Sequence, residues 1–569
     1  MLLIMDPTKR WKWRVDPQPW LGAWLGMLFF AAVYGLAIVD PRNIQWLLHG
    51  DPAQHYLGFA FFRQAPWSWP LGAIPQFGEP LGTSLVYTDS LPLLAIPMKL
   101  LSSWLPGEFQ YFGLWMLLCY MLYGYFAASL LGRLGLRGFA LFASVGLLLT
   151  SPALALRAYG HESLMAHWLL LAGFEATLAD RKGRQGCLLL TAALIHPYFV
   201  PMLLPFAIFT WWHAPGFLRR LLLWGVMLGS TMYAAGYFIR PSGTLKAEGY
   251  GYYSANLLTF FDRMDWRTFL EYYSRPLDYA SEWSTLLPAI GQATQGQYEG
   301  FAYLGAGVLL LLLTALIPFR SKSGGGSPSG TPSVRPLKFL LTIGLLLFVY
   351  ALSARVTLGP RLIAELPAPD SLLGILSIFR ATGRFVWPLG ILLSVWACVR
   401  LAASLPKRGA TLLILLALLL QAGDLSGKWR EFHHRFTPGN LGVMPDFSAP
   451  VWREFACYSR LVVLPATPQG DDWIAPALLA VSHHQSINLA YTARSDPQAA
   501  AQAEDVEKSL LAAAQPRSGT AYWVRDPVTL AALPQRLQAR MRAAPLGGGA
   551  LILPAACVSG QDEGALANR

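Results

Sequence analysis

Residues 20–55 read WLGAWLGMLFFAAVYGLAIVDPRNIQWLLHGDPAQH. The first part, Trp20 to Val39, is an uncharged apolar run of the length that crosses a bilayer core of about 30 Å as a helix. The chain then turns polar at Asp40 and places Asp51 and His55 a short way beyond the run. Ionisable groups so near a membrane surface are costly unless they are solvated, paired or used. A basic stretch precedes the run, as before a signal peptide. Val39-Asp40-Pro41-Arg42 offers no small-residue cleavage site, so Trp20–Val39 reads as an uncleaved first span.

Composition carries this outward. Of 569 residues, 54% are hydrophobic and only 13% charged, which excludes an ordinary soluble enzyme. The formal charge of +12 does not mark a nucleic-acid binder, because the basic residues sit in short loops between apolar runs. That is the positive-inside pattern. The sequence divides into a cytoplasmic tail (1–19), a mainly α polytopic bundle (20–422) and a small soluble α/β domain (423–569). In the last, 460–464, 521–524 and 550–553 read as strands and 498–514 as a helix. Asp471-Asp472 and His483-His484 are adjacent pairs that do not converge on a metal. Cys457 and Cys557 either bridge or remain free thiols.

Charge placement predicts the topology. Lys9 to Arg14, Arg133/Arg137, Arg181 to Arg184, Arg219/Arg220, the Gly/Ser-rich linker 321–333 and Lys407/Arg408 are assigned to the cytoplasm. The loops 40–109 and 240–300 face outward. Leu85–Leu105, with Asp89, Pro92 and Pro97, reads as an interfacial or re-entrant helix. His196-Pro197 splits Cys187–Trp212 into two half-depth helices. About eleven spans result. They put the C-terminal domain on the outer side of the membrane.

Unusual polar residues concentrate in the outward loops: Asp51, His55, Glu79, Asp89, His161, Glu162, Asn256, Glu299, Arg380 and Arg384. Transfer from a phosphate-linked donor needs a general base and positive charge for the leaving phosphate. Asp51 can be that base, or the cap of an amphipathic helix over 53–63 that Asp51-Pro52 opens. His55 lies one turn on and can orient it, and Asp89 is a cap or a second acid. Arg380 and Arg384, one helical turn apart, suit a phosphate or the headgroup region. His161, Glu162 and His196 can line the same cavity or serve as caps and packing residues, Glu79 is a substrate-hydroxyl ligand or a solvated loop carboxylate, and Asn256 among tyrosines suits sugar hydroxyls. Outward carboxylates also offer oxygen ligands to a divalent cation such as Mg2+ or Mn2+, although no metal motif is present.

A first span, an acidic residue soon after it and a proline-rich interfacial helix together resemble the GT-C class of polytopic glycosyltransferases. More narrowly, His49-Gly50-Asp51, Tyr87 to Pro92, Gly251 to Leu258, Tyr298 to Gly305 and Phe379 to Phe385 resemble a group of bacterial membrane proteins placed near that class. The resemblance covers Trp20 to about Ala422. It implies a polyprenyl-phosphate sugar donor, a cell-surface glycan or lipid acceptor, and inversion at the sugar. Asp51 would then be the catalytic acid residue, Glu79 or Asp89 the second acid, and Arg380/Arg384 a lipid-phosphate clamp. The paired acids that some GT-C families show at the first position are absent here. A glycolipid transporter or a non-catalytic envelope-assembly protein are the alternatives.

Overall fold

The computed structural model describes residues 17–212, 214–239, 249–272, 280–318, 332–367, 369–494 and 496–554. The tail to residue 16, most of the expected linker, part of loop 240–300 and Cys557 lie outside them. The chain is mainly helical. α1 (Gln18–Tyr34) leads through two short 3-10 turns to α2 (Gly50–Gln64), and a two-residue hairpin of β1 (Ala73–Ile74) and β2 (Thr83–Ser84) precedes α3 (Pro92–Leu100). There follow α4 (Phe112–Arg133), α5 (Gly138–Leu149), α6 (Pro152–Leu156), α7 (Trp168–Leu178), α8 (Lys182–Ile195), α9 (Phe199–Trp212), α10 (Phe217–Ala235) and α11 (Trp266–Tyr272). The helical part closes with α12 (Ala306–Ala315), α13 (Leu337–Ala351), the hairpin β3 (Arg355–Leu358) and β4 (Arg361–Glu365), α14 (Asp370–Leu376), α15 (Trp387–Ser404) and α16 (Lys407–Arg435).

Four helical stretches among the described residues are long and apolar enough to cross a membrane: Phe112–Arg133, Gly138–Tyr159, Thr382–Ser404 and Lys407–Arg435. The chain is therefore a membrane protein, but the eleven spans expected from the sequence are not supported. Several apolar runs are cut short by Gly, Pro and His. The run from Phe301 keeps ten residues in α12, the run from Leu164 eleven in α7, and the run from Leu337 fifteen in α13. Helices of that size rise about 15–22 Å, short of the bilayer core. Leu85–Leu105 retains only the nine-residue α3, and His196-Pro197 separates α8 from α9. Large apolar side chains stand exposed on α1 (Trp20, Trp24, Leu28), α10 (Leu222, Val226) and α16 (Leu412, Leu416, Leu419). Such a surface fits lipid contact.

The C-terminal part forms a five-stranded sheet in the order β6-β5-β7-β9-β8. Its strands are β5 (Arg460–Leu464), β6 (Ser486–Ile487), β7 (Thr520–Val524), β8 (Met541–Ala543) and β9 (Ala550–Ile552). β5 runs parallel to β6 and β7, whereas β9 is antiparallel to β7 and β8. Helices α17 (Pro450–Glu454), α18 (Ile474–Ser482) and α19 (Pro497–Ala512) accompany it. The expected strands and helix are present; β6 and β8 are too short to leave a sequence pattern. Cys457 is disulfide-bonded.

This sheet docks on the turn between β1 and β2, which follows α2. Gly78 N and Glu79 N both donate to Ile487 O, at 2.8 and 2.9 Å, and Ile487 N donates to Gln76 O at 2.9 Å. The Phe77 ring stacks on Phe61 with centroids 4.6 Å apart, and Gln64 Nε2 reaches Val481 O at 2.9 Å. α2 therefore lies between the helical part and α18. Residues 52–62 are buried all round, where the sequence suggested an amphipathic helix.

α1 and α4 meet backbone to backbone. A Cβ on Gly124 would lie 2.1 Å from Gly22 O, and one on Gly26 would lie 2.1 Å from Tyr120 O. Gly124→Leu should force the helices apart, with an overpacking cost of about 1–3 kcal/mol. Gly225→Leu, with open space around it, should change nothing. Melting curves of the detergent-solubilised variants check this: the first should melt several degrees lower, the second with wild type.

Candidate functional site

Three histidine–carboxylate pairs gather where α2 starts. Asp51 stands in the first turn of α2. It makes no capping hydrogen bond among the described residues; the Gly50 N–H is accepted instead by Asp471 Oδ1 of the C-terminal domain, at 2.9 Å. Asp51 Oδ2 lies 3.3 Å from His161 Nε2, with 31% of its side chain exposed. One turn along α2, the wholly buried His55 holds Glu162 Oε2 through Nδ1 at 2.6 Å. The peptide of Glu162 is fixed in turn by Trp115 Nε1, which donates to its carbonyl at 2.8 Å.

Asp89 supplies the third carboxylate, with Oδ1 at 3.6 Å from His196 Nε2. Its backbone is left-handed (φ +51°), as is that of Leu91 (φ +52°). Non-glycine residues hold that conformation only where surroundings over-determine it. Here Ser90 Oγ donates to His55 O at 2.7 Å and Gln54 Nε2 donates to Tyr87 O at 2.7 Å, tying the Tyr87–Leu91 turn to α2. One ligand atom from each of His55, Asp89 and His161 lies within 4.8 Å of the other two.

The charges shape one another. Burial brings His161 down to about 4, despite the pull of Asp51, so it is neutral at pH 7. Burial pushes Asp89 up, against the attraction of His55 and Arg384. Burial alone would lower His55, but the hydrogen bond and charge of Glu162 carry it above the usual histidine range. Glu299 is buried too, yet Arg384 and Arg157 hold it well below the usual carboxylate range. Arg384 Nε and Arg157 Nη1 each donate to Glu299 Oε2 at 2.9 Å, and Arg384 Nη2 grips the other oxygen.

These contacts redistribute the roles expected of the residues. Arg384 is committed to Glu299 and lies in a 3-10 turn over Thr382–Val386, so it shares no helical face with Arg380. Arg380 is exposed, its guanidinium 5.4 Å from the Tyr253 ring centre, and is the arginine open to a phosphate. Glu79 pairs with Arg460 of β5 at 2.9 Å. Asn256 is buried and saturated. Its amide donates to Gln297, Thr357 and Gly359 and its oxygen accepts from Leu258 N and Gly359 N, so it fastens the loop and has nothing left for a sugar. Asp472 pairs with Arg525 at 2.7 Å, so Asp471 and Asp472 do point apart. Arg157 belongs to the cluster but was not among the predicted site residues, whereas His196, expected to line the cavity, meets Asp89. A lone arginine ending an apolar run was the available signal for Arg157.

The fold and the cluster define a helical membrane protein with a carboxylate–histidine site at the seam between its helices and a C-terminal α/β domain. The chain belongs to the family described as a domain of unknown function (DUF6311), which it matches over residues 23–426, and it matches the DUF6311 C-terminal domain over residues 451–555. No curated protein and no solved structure matches it.

Removing Glu299 should cost far more than removing an exposed charge. Glu299→Ala leaves two buried guanidiniums unpaired, a loss of about 3–5 kcal/mol. Arg380→Ala should stay within about 0.5 kcal/mol of wild type. Size-exclusion profiles and melting points in detergent separate the two; equal stability would remove Glu299 from this role.

Proposed function

We propose that this protein is a glycosyltransferase of the GT-C kind, moving a sugar from a polyprenyl-phosphate carrier to an extracytoplasmic glycan or lipid. The observation that carries the reading is the position of Asp51: a part-exposed carboxylate at the head of α2, held by a neutral histidine, with Asp89 and the Arg380 guanidinium within reach of the same charges. In the reaction the acceptor hydroxyl gives its proton to an Asp51 oxygen. The acceptor oxygen then attacks the anomeric carbon as the bond from that carbon to the phosphate oxygen breaks. The electron pair leaves with the phosphate, whose charge Arg380 meets. Attack opposite the leaving group inverts the sugar.

Two further features support it. An apolar groove of about 450 Å3 between α9 and α13, lined by Pro201, Leu204, Phe209, Trp212, Phe339 and Ile343, begins on α9 a few residues past His196. It suits a prenyl chain whose phosphate sits at the cluster. Arg133, Arg184 and Lys407 lie at the helix ends remote from the cluster, whereas Arg435 meets His49 beside it. By the positive-inside rule the cluster and the C-terminal domain then face the periplasm and the N-terminus faces the cytoplasm.

Asp51→Asn should abolish transfer, by about 100-fold or more, in a protein that still melts like wild type. Mass profiles of lipid-linked sugars and surface glycans in a deletion strain, complemented by wild type or Asp51→Asn, provide the test. A polyprenyl-phosphate sugar should accumulate and one glycan lose a residue, with wild type alone restoring it. Full complementation by Asp51→Asn, or an intact glycolipid trapped on the inner leaflet, would sink the reading.

A further inference from the structure

Two of the three histidine–carboxylate pairs share a pattern that acid–base chemistry does not require. In each, one ring nitrogen faces a carboxylate and the other is buried with no partner among the described residues: His55 uses Nδ1 on Glu162 and leaves Nε2, and His161 turns Nε2 to Asp51 and leaves Nδ1. A buried polar nitrogen without a partner costs about 1–3 kcal/mol, and two in adjacent side chains want a common explanation. Metal-binding histidines have this arrangement, with the second nitrogen held by a carboxylate that fixes the ring and raises its basicity.

We propose that His55 Nε2, His161 Nδ1 and the Asp89 carboxylate form a binding site for a divalent transition-metal ion, with Zn2+ as its first candidate. The geometry allows it. Ligand atoms around a tetrahedral Zn2+ with bonds of about 2.1 Å lie roughly 3.4 Å apart, and one ligand atom from each of His55, His161 and Asp89 lies within 4.8 Å of the other two, so modest side-chain rotations close the set. The donor set is two imidazoles and one carboxylate. Imidazole suits Zn2+ and its neighbours, whereas Mg2+ prefers oxygen alone, so the expectation of Mg2+ from loop carboxylates gives way to a nitrogen-rich site. Glu162 and Asp51 orient the two rings from behind. The left-handed turn at Asp89, tied to α2 through Ser90 and His55 O, keeps the third ligand opposite them. Metal binding displaces any proton on the two nitrogens and gives each the partner it lacks. Three protein ligands leave a fourth position for water or a substrate oxygen, as in catalytic rather than structural sites.

The assignment is independent of sugar transfer, and its test needs no substrate. The full-length protein in detergent is stripped with EDTA, equilibrated with buffered Zn2+ in the presence of millimolar Mg2+, and its metal content measured by mass spectrometry. One equivalent per chain is expected. His161→Ala and Asp89→Asn should each weaken binding at least tenfold. Asp51→Asn, which removes a carboxylate behind a ligand, should weaken it by about 10- to 100-fold. The exposed pair is the control: His483→Ala with His484→Ala should leave the stoichiometry unchanged. Should the site variants fail to elute like wild type, the Co2+-loaded wild-type protein decides, since nitrogen ligation at low coordination number gives visible d–d bands. The proposal is overturned by Zn2+ that Mg2+ displaces, by Zn2+ bound equally by His161→Ala and Asp89→Asn, by loss of the metal in the His483/His484 variant, or by a Co2+ spectrum of hexaaqua type.

Discussion

Glu299, buried and held by two guanidiniums, is the interaction on which the centre of this protein depends. A carboxylate or a guanidinium taken out of water alone would cost several kcal/mol, and only a close, geometrically matched pairing offsets that. Arg384 enters from the turn before α15, Arg157 from the 3-10 turn after α6, and Glu299 from a 3-10 segment before α12. Three stretches far apart in sequence are thus fixed at one point. The rings of Tyr198 and Trp387 close over the two arginines, at 4.6 and 5.0 Å. The clamp also sets the field next door. Arg384 acts on Asp89, His161 and Glu299 together, so the positive charge that holds the frame also tunes the site.

The site is assembled from two sides. α2 and the Tyr87–Leu91 turn bring Asp51, His55 and Asp89, and the 160–162 segment brings the facing His161 and Glu162. The C-terminal domain then holds the loop from the other side through Asp471 on Gly50, Arg460 on Glu79 and the strand-like pairing of Gln76–Glu79 with Ile487. α2 has no exposed face because both partners are in place.

The sequence made legible what depends on local pattern. Apolar runs marked the helices, His196-Pro197 marked the break between α8 and α9, and the polar residues after α1 marked the site region. The number of spans was not legible. A run of hydrophobic letters does not reveal that Gly305 or His167 delays the helix, so α12 and α7 begin late. Pair identities were equally hidden. His161 and Glu162 are neighbours in sequence yet serve different partners, Asp51 and His55, and only the folded chain shows this. The same holds for Arg384: its spacing from Arg380 suggested a shared task, whereas Glu299, 85 residues away, claims it. The C-terminal domain carried no chemical motif, and its contribution lies in contacts that have no local signature.

The clasp of the C-terminal domain on α2 also has a bearing on biosynthesis. The segment that carries Asp51 leaves the ribosome early, and Arg460 and Asp471 more than 370 residues later. Until then α2 has one face uncovered and Gly50 lacks its partner. A nascent or clipped chain would therefore hold the helices without a finished site, and completion of synthesis would itself be the event that closes the site around α2.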